Sequence, residues 1–258
     1  MSDRGGTEVF DEVAEDYAEF RPDYQPELID DIVSLSGVPP GGRILEIGCG
    51  PGKATLPFAQ RGYAMLCLEP GPRLAAMARD RVRGYPRVEI VVNTFEDWPL
   101  EAEAFDLVIA ASAFHWVRED VGFPKAAAAL RDTGAIALFR NARAGSDTPV
   151  FREIEQAYAE HALEAHRRGW RHSGHDEEAA LKASPLFRDV VTCHHPRQIS
   201  YTAQGYVRML GTYSGHRRLP VAQREALFAA IIAAIERNGS TIEQPWVGTA
   251  HVAHERVG

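Results

Sequence analysis

The sequence predicts an α/β fold: a doubly wound, mostly parallel seven-stranded sheet with an antiparallel edge hairpin and a helical insertion that caps it. Three observations predict it. Short apolar runs alternate with segments of helical period five times between residues 43 and 140. The first run leads into a turn with three glycines, "GCGPG" at 48–52. Hydrophobic residues at 45% and charged residues at 25% are globular averages, and 258 residues bury a core that needs no disulfide or metal staple.

In chain order, an apolar helix "PELIDDIVSL" is stopped by "GVPPGG" at 37–42, whose prolines and glycines cannot continue it. "RILEI" (43–47) is the first strand, and "KATLPFAQRG" after the glycine turn is a helix ending at Gly62. The unbroken apolar run of "YAMLCLEP" (63–70) suits a parallel strand covered on both faces. The helix "PRLAAMARDRV" (72–82), with Leu74, Met77 and Ala78 at helical spacing, leads to a strand "RVEIVVN" (87–93). "FDLVIAA" (105–111), a helix "FPKAAAAL" (123–130) and a strand "GAIALFR" (134–140) complete the alternation. From Thr148 to Leu186 the pattern turns helical, which marks an insertion. A strand at 190–200, helices at 202–210 and 220–238 and a strand at 242–255 close the chain as an antiparallel edge addition. The domain reading is a capping segment at 1–30, a core at 31–145 and 187–258, and a lid at 146–186.

No secretory leader opens the chain, and the longest apolar stretch, "LFAAIIAAI" at 227–235, is too short to span a bilayer. Three sparse cysteines point to reduced thiols and a cytoplasmic location. A net charge of −8 argues against a duplex nucleic acid partner. The charge is uneven, because residues 140–218 hold 12 Lys and Arg against 9 Asp and Glu and seven of the ten histidines. No HExxH or ligand-spaced Cys/His set accompanies those histidines, so no metal site is expected.

The glycine turn sits where doubly wound sheets bind ligands, outside the carboxyl ends of the strands. A phosphate loop would need glycine at Ile47 and Ser or Thr after Lys53, where Ala54 stands. The dinucleotide fingerprint fails in both registers, at Lys53 and at Thr55, which disfavours a nicotinamide-dependent oxidoreductase. Glu69, at the end of the second strand, is placed to accept from ribose hydroxyls. "NTFEDWPL" (93–100) sets Thr94, Phe95 and Glu96 beside the same crevice, as for an adenine ring. The ligand inferred is a nucleoside without phosphates.

"LEIGCGPG", Glu69, "NTFEDWP" and "FDLVIAASAFHWV" together resemble the class I S-adenosylmethionine-dependent methyltransferases, in particular the small-molecule type 11 group with trans-aconitate methyltransferase-like members. The resemblance is strong over about 35–140. It implies S-adenosyl-L-methionine as cofactor, held by Glu46, Gly48, Cys49, Gly50, Gly52, Glu69, Thr94, Phe95, Glu96, Ala111 and Trp116. Glu46 would meet the methionine ammonium, and Trp116 packs under the adenine or in the core. In "FDEVAEDYAEFRPDYQPEL" (10–28), Tyr17 and Arg21 would close over the cofactor. The chain departs from the resemblance at Thr94, where many relatives carry an aspartate, which leaves Glu96 or the Phe95 backbone to meet the adenine amino group.

His115 is a candidate base or a polar pocket liner. Arg208 and Tyr213 are candidate substrate residues, with "GTYSGHRR" (211–218) a turn between helices. The expected partner is a small molecule, with a monomer or homodimer as the assembly, and the basic middle of the chain favours a carboxylate-bearing acceptor. A nucleic acid methyltransferase or a cofactor binder without activity are the rival readings on this fold; "ASAFHW" after the fourth strand lacks the [ND]PP[YF] tetrapeptide of the former.

Overall fold

Strands buried on both faces need helices on both faces, and the first five strands are apolar nearly throughout. The structure, a computed structural model, describes residues 10–162 and 176–255. Strands β1 (Arg43–Ile47), β2 (Ala64–Leu68), β3 (Val88–Val91), β4 (Phe105–Ala111) and β5 (Leu130–Arg143) run parallel. β7 (Thr241–Glu255) pairs antiparallel with β5, and β6 (Phe187–Thr202) lies antiparallel to β7 at the edge. The order is β3-β2-β1-β4-β5-β7-β6. The chain winds outward in both directions from β1 and β4, so the crevice of the switch point opens after Ile47 and Ala111.

On one face α2 (Pro26–Ser36), α3 (Thr55–Gln60) and α4 (Pro72–Arg81) bury Leu28, Ile32, Phe58 and Ala78 against Leu107, Ile109 and Phe139. α2 starts with Pro26 and stops at Gly37 in the left-handed conformation, as its composition requires. On the other face α5 (Glu119–Ala129) and α7 (Glu177–Ala183) pack Ala126 and Leu181 on Val108, Ile136 and Leu138. A third apolar cluster stands apart. In it α6 (Pro149–His161), α8 (Ala203–Gly211) and α10 (Val221–Arg237) gather Ile154, Tyr206, Leu210, Leu227 and Ile231 around Trp246 of β7.

One detail differs from expectation: β5 begins at Leu130, because α5 ends at Ala129 and passes straight into the strand. The antiparallel edge pair is as expected, with α8, α9 (Ser214–Arg217) and α10 between β6 and β7 supplying the third cluster. The middle of the expected lid, with His166, His172 and His175, lies outside the described residues. Among the described residues no helix is long and apolar enough to cross a membrane.

Candidate active site

The three glycines of the turn all adopt positive φ, at +66°, +56° and +79° for Gly48, Gly50 and Gly52, a region that side chains disfavour. Their surroundings separate them. A Cβ at Gly48 would stand 2.6 Å from the Ala113 Cβ, and one at Gly52 would stand 3.3 Å from the Ala78 Cα of α4. A Cβ at Gly50 would meet nothing within 4 Å. Packing therefore explains the first and third glycine, and open space faces the second.

Glu69 fixes the turn. Its Oε2 accepts from the Gly50 amide and its Oε1 from the Gly71 amide, both at 2.8 Å, which joins the turn to the start of α4. Burial pushes its carboxyl pKa up, and the Gly71 and Gly50 amides pull it back. Asp11 stands beside it and caps α4, accepting from the Arg73 and Leu74 amides at 2.9 and 3.0 Å. Nothing in the sequence singled Asp11 out, because its partners lie more than 60 residues away.

Glu46 is fully buried. Its Oε2 accepts from the Thr55 hydroxyl at 2.7 Å, while Oε1 has no hydrogen-bond partner. Burial raises its pKa to about 7, against the lowering by Thr55 and Cys67. A buried acceptor left unmet costs about 1–3 kcal/mol, so a donor arriving there is favoured. An ammonium group beside the open face of Gly50 fits this pair of features, which is what an amino acid tail presents.

One cleft joins these residues to distant ones. Gly48, Cys49, Gly50 and Lys53 form its floor, and Ala111 and Ser112 end β4 above it. Ser112 has a positive φ of +59°, a strained conformation for a side-chain-bearing residue at a ligand crevice. Asn141 of β5 and Trp246 of β7 form the far wall, and Tyr17, Arg21 and Tyr24 close the cleft from the N-terminal side. That side is tied down: Asn141 Nδ2 donates to the Pro22 and Asp23 carbonyls at 3.3 Å, and Asp23 pairs with Lys53 and Arg81 at 3.0 Å each.

Residues 44–134 match the family described as a methyltransferase domain. The unmet Glu46 oxygen and the Gly50 gap fit the amino acid end of S-adenosyl-L-methionine, the methyl donor such a domain would use. An uncharacterised methyltransferase of Mycobacterium tuberculosis is 32% identical over 127 residues, 49% of either chain, so the match spans about half the length of that relative. The malonyl-[acyl-carrier protein] O-methyltransferase of Geobacter sulfurreducens is 34% identical over 64% of each chain. A candidate type II methyltransferase from Anaeromyxobacter dehalogenans shares the fold, with a TM-score of 0.66 at 22% identity over 92% of this chain and 98% of that one.

The cleft gathers Tyr17, Arg21, Gly48, Cys49, Gly50 and Ala111 from the residues expected there. The other expected residues do not line it. The loop after β3 is braced locally, with the Thr94 hydroxyl accepting from the Asp97 amide, Glu96 accepting from the Arg118 amide and Phe95 buried and stacked on Trp98. Trp116, on a short 3-10 turn (Phe114–Trp116), meets Phe10 edge-on at 5.6 Å. His115, from the same turn, lines a second cavity with Phe123, Glu177 and Ala180. Arg208 is also placed elsewhere, since it is half exposed and pairs with Asp16 at 2.6 Å on the surface. Tyr213 stacks under Arg21, with the guanidinium carbon 3.5 Å from its ring centre.

Sequence reasoning did not reach Tyr24, Lys53, Ser112, Asn141 or Trp246. Only the "RPDY" run around Tyr24 carried a usable signal, the fixed φ of Pro22 after Arg21. The histidine-rich stretch does bring one set of donors together, Asp31, Cys193 and His195 across α2 and β6, within 4.8 Å of one another. His195 Nε2 and Asp31 Oδ2 satisfy each other there at 2.8 Å.

Proposed function

We propose that the chain transfers the methyl group of S-adenosyl-L-methionine to a small, carboxylate-bearing molecule, as a member of the type 11, trans-aconitate methyltransferase-like group. One observation carries the reading: the glycine turn and Arg21, which makes no ion pair among the described residues, line the same cleft. Donor and acceptor then meet where water is excluded, and alignment supplies much of the rate. A lone pair of the acceptor attacks the methyl carbon in line, the carbon–sulfur bond breaks, and its electron pair returns to sulfur. A carboxylate oxygen gives a methyl ester and neutral S-adenosylhomocysteine with no proton to remove, so His115 has no necessary part.

In this reading Tyr17, Arg21, Gly48, Cys49, Gly50, Ala111 and Glu46 meet the cofactor directly. Gly52, Glu69, Thr94, Phe95, Glu96 and Trp116 shape its nucleoside half. The segment 1–30 caps the cofactor, and the insertion 146–186 forms the substrate lid. The malonyl-[acyl-carrier protein] O-methyltransferase relative, whose malonyl group carries a carboxylate, supports the acceptor class. A net charge of −8 makes a nucleic acid partner unfavourable. Calorimetry and a screen for S-adenosylhomocysteine release test it. The expected result is binding of S-adenosylhomocysteine but not NADH, with turnover on di- or tricarboxylates. Turnover confined to neutral phenols or amines would overturn the acceptor class.

A further inference from the structure

Beyond the cleft's far wall lies a half-buried cation with no counter-charge among the described residues. Arg143 ends β5 two residues after Asn141, which places it on the same strand face about 7 Å further from the cleft. Among the described residues it makes no ion pair. It is flanked by hydroxyl groups. Tyr206 donates to Gln244 Oε1 at 2.9 Å, and Gln244 is itself fixed through its Nε2 by the Ala144 and Pro245 carbonyls. The Tyr158 hydroxyl is hydrogen-bonded at 2.9 Å to Nε2 of His216, a histidine that burial and Arg143 hold neutral. Both phenols offer lone pairs to the guanidinium without cancelling its charge. Glu155, a carboxylate that acts on both phenols, is exposed on α6.

Two further features converge here. The Tyr213 ring is shared by Arg143, at 5.1 Å, and Arg21, at 3.5 Å, so two cations contact one phenol. Trp246 is paired directly across from Arg143, lines the cleft, and buries an indole Nε1 that makes no hydrogen bond of sound geometry, with the Tyr201 hydroxyl nearby. An arginine withdrawn from water normally has its carboxylate, because an uncompensated charge there is costly. An arrangement that orients the guanidinium yet leaves it charged is expected where an anion arrives from outside.

We propose that this cluster is the anchoring site for a carboxylate of the acceptor, gripped by the fork of Arg143 with Arg21, Tyr213 and Trp246 around it, and that the carboxylate held there is not the atom methylated. The inference rests on the proposed acceptor class and narrows it. The methylated atom belongs at the glycine turn, and the anchor lies past Asn141. The acceptor therefore carries a second nucleophile, a further carboxylate or a hydroxyl, at the other end of a short molecule.

Calorimetric titration of the full chain saturated with S-adenosylhomocysteine tests this. The probes are succinate, glutarate and benzoate, each against its uncharged amide. At least one acid should bind about tenfold or more tightly than its amide. Arg143→Gln should abolish that preference and Arg143→Lys keep part of it, with S-adenosylhomocysteine affinity within about threefold of wild type in both. Retained cofactor binding and circular dichroism verify that the variants fold; if neither does, Tyr213→Leu, which removes the shared ring, serves instead and should weaken the acids more than it weakens S-adenosylhomocysteine. Acids and amides binding alike, no acid binding, or an undiminished preference in Arg143→Gln overturns the proposal. Failure to bind S-adenosylhomocysteine overturns the cofactor reading instead, and titration of the acids into the free protein still decides the anchor.

Discussion

The two sides of the cleft carry charge of opposite sign. At the glycine turn the charged groups are the buried carboxylates of Glu46 and Glu69, and across from them stand the half-buried guanidinium groups of Arg21, on the N-terminal side, and Arg143, beyond the far wall. Glu69 has its burial offset by two backbone amides, whereas Glu46 keeps one oxygen unmet. Arg143 is held by neutral phenols, and Arg21 by the Thr212 hydroxyl at 2.6 Å and the Tyr213 ring. What is left uncompensated is negative at one end and positive at the other. A cationic donor with an ammonium tail and an anionic acceptor would neutralise both at once, and neither would be drawn to the wrong end.

The comparison breaks most directly at Glu46. Glu46→Gln should weaken S-adenosylhomocysteine binding by about tenfold or more, the scale of a lost charge-assisted hydrogen bond. The pH dependence follows from the raised pKa of about 7. Because the folded carboxyl binds its proton more tightly than the unfolded one, Glu46 favours the fold fully below about pH 4.5. That contribution is lost as pH rises to about 7, on the order of 3 kcal/mol in all. The ammonium needs the ionised form, so cofactor affinity should rise from pH 6 to 8 in the wild type and stay flat in Glu46→Gln. Equal affinity in both proteins at pH 8 would place the ammonium elsewhere.

The glycines sharpen the same end. Gly48→Ala and Gly50→Ala both force a Cβ onto positive φ, at about 1 kcal/mol each in thermal unfolding. Gly48→Ala also drives that Cβ into Ala113 and should lose more stability than Gly50→Ala. Gly50→Ala fills only open space, so its cofactor affinity should fall several-fold out of proportion to its melting temperature. Parallel losses of stability and binding in the two variants would mean that no ligand approaches Gly50.

Asp23 connects the ends, since its carboxylate pairs with Lys53 and Arg81 and its carbonyl accepts from Asn141 of the far wall. Asp23→Ala should raise the dissociation rate of S-adenosylhomocysteine a few-fold in stopped flow, by loosening the segment that closes the cleft. The Lys53 pairing is only partly exposed, and burial lowers that lysine's pKa against the raising by Asp23, so removing the acid leaves a buried amine less well charged.

The acidic end was legible in the sequence and the basic end was not, for a reason that lies in chain distance. "RILEIGCGPG" and Glu69 fall within one β-turn-α-β unit, where spacing alone sets the geometry. Arg143, Tyr158, Tyr206, Tyr213 and Trp246 come from β5, α6, α8, the turn before α9, and β7. They meet only because β7 inserts between β5 and β6 and sets Trp246 opposite Arg143. Tyr213 was picked out for its turn, but its guanidinium partners were invisible. Arg208 was picked out with it because charge and location were all the sequence offered, and it belongs to the surface.

Arg208 gives the comparison its smallest and most selective test. Like Arg21, it joins the N-terminal helix α1 (Ala14–Phe20) to the region of α8, through Asp16 and the Phe20 ring. Unlike Arg21, it has a carboxylate and stands half in water, where ion pairs are screened and contribute little. Arg208→Ala should therefore shift the melting temperature by less than about 1 °C and leave cofactor and carboxylate binding unchanged by calorimetry. Should Arg208→Ala abolish carboxylate binding as fully as Arg143→Gln, the acceptor would be meeting the protein at its surface. Missing counter-charge, which is what distinguishes Arg21 and Arg143 from Arg208, would then have been the wrong guide to the binding arginines.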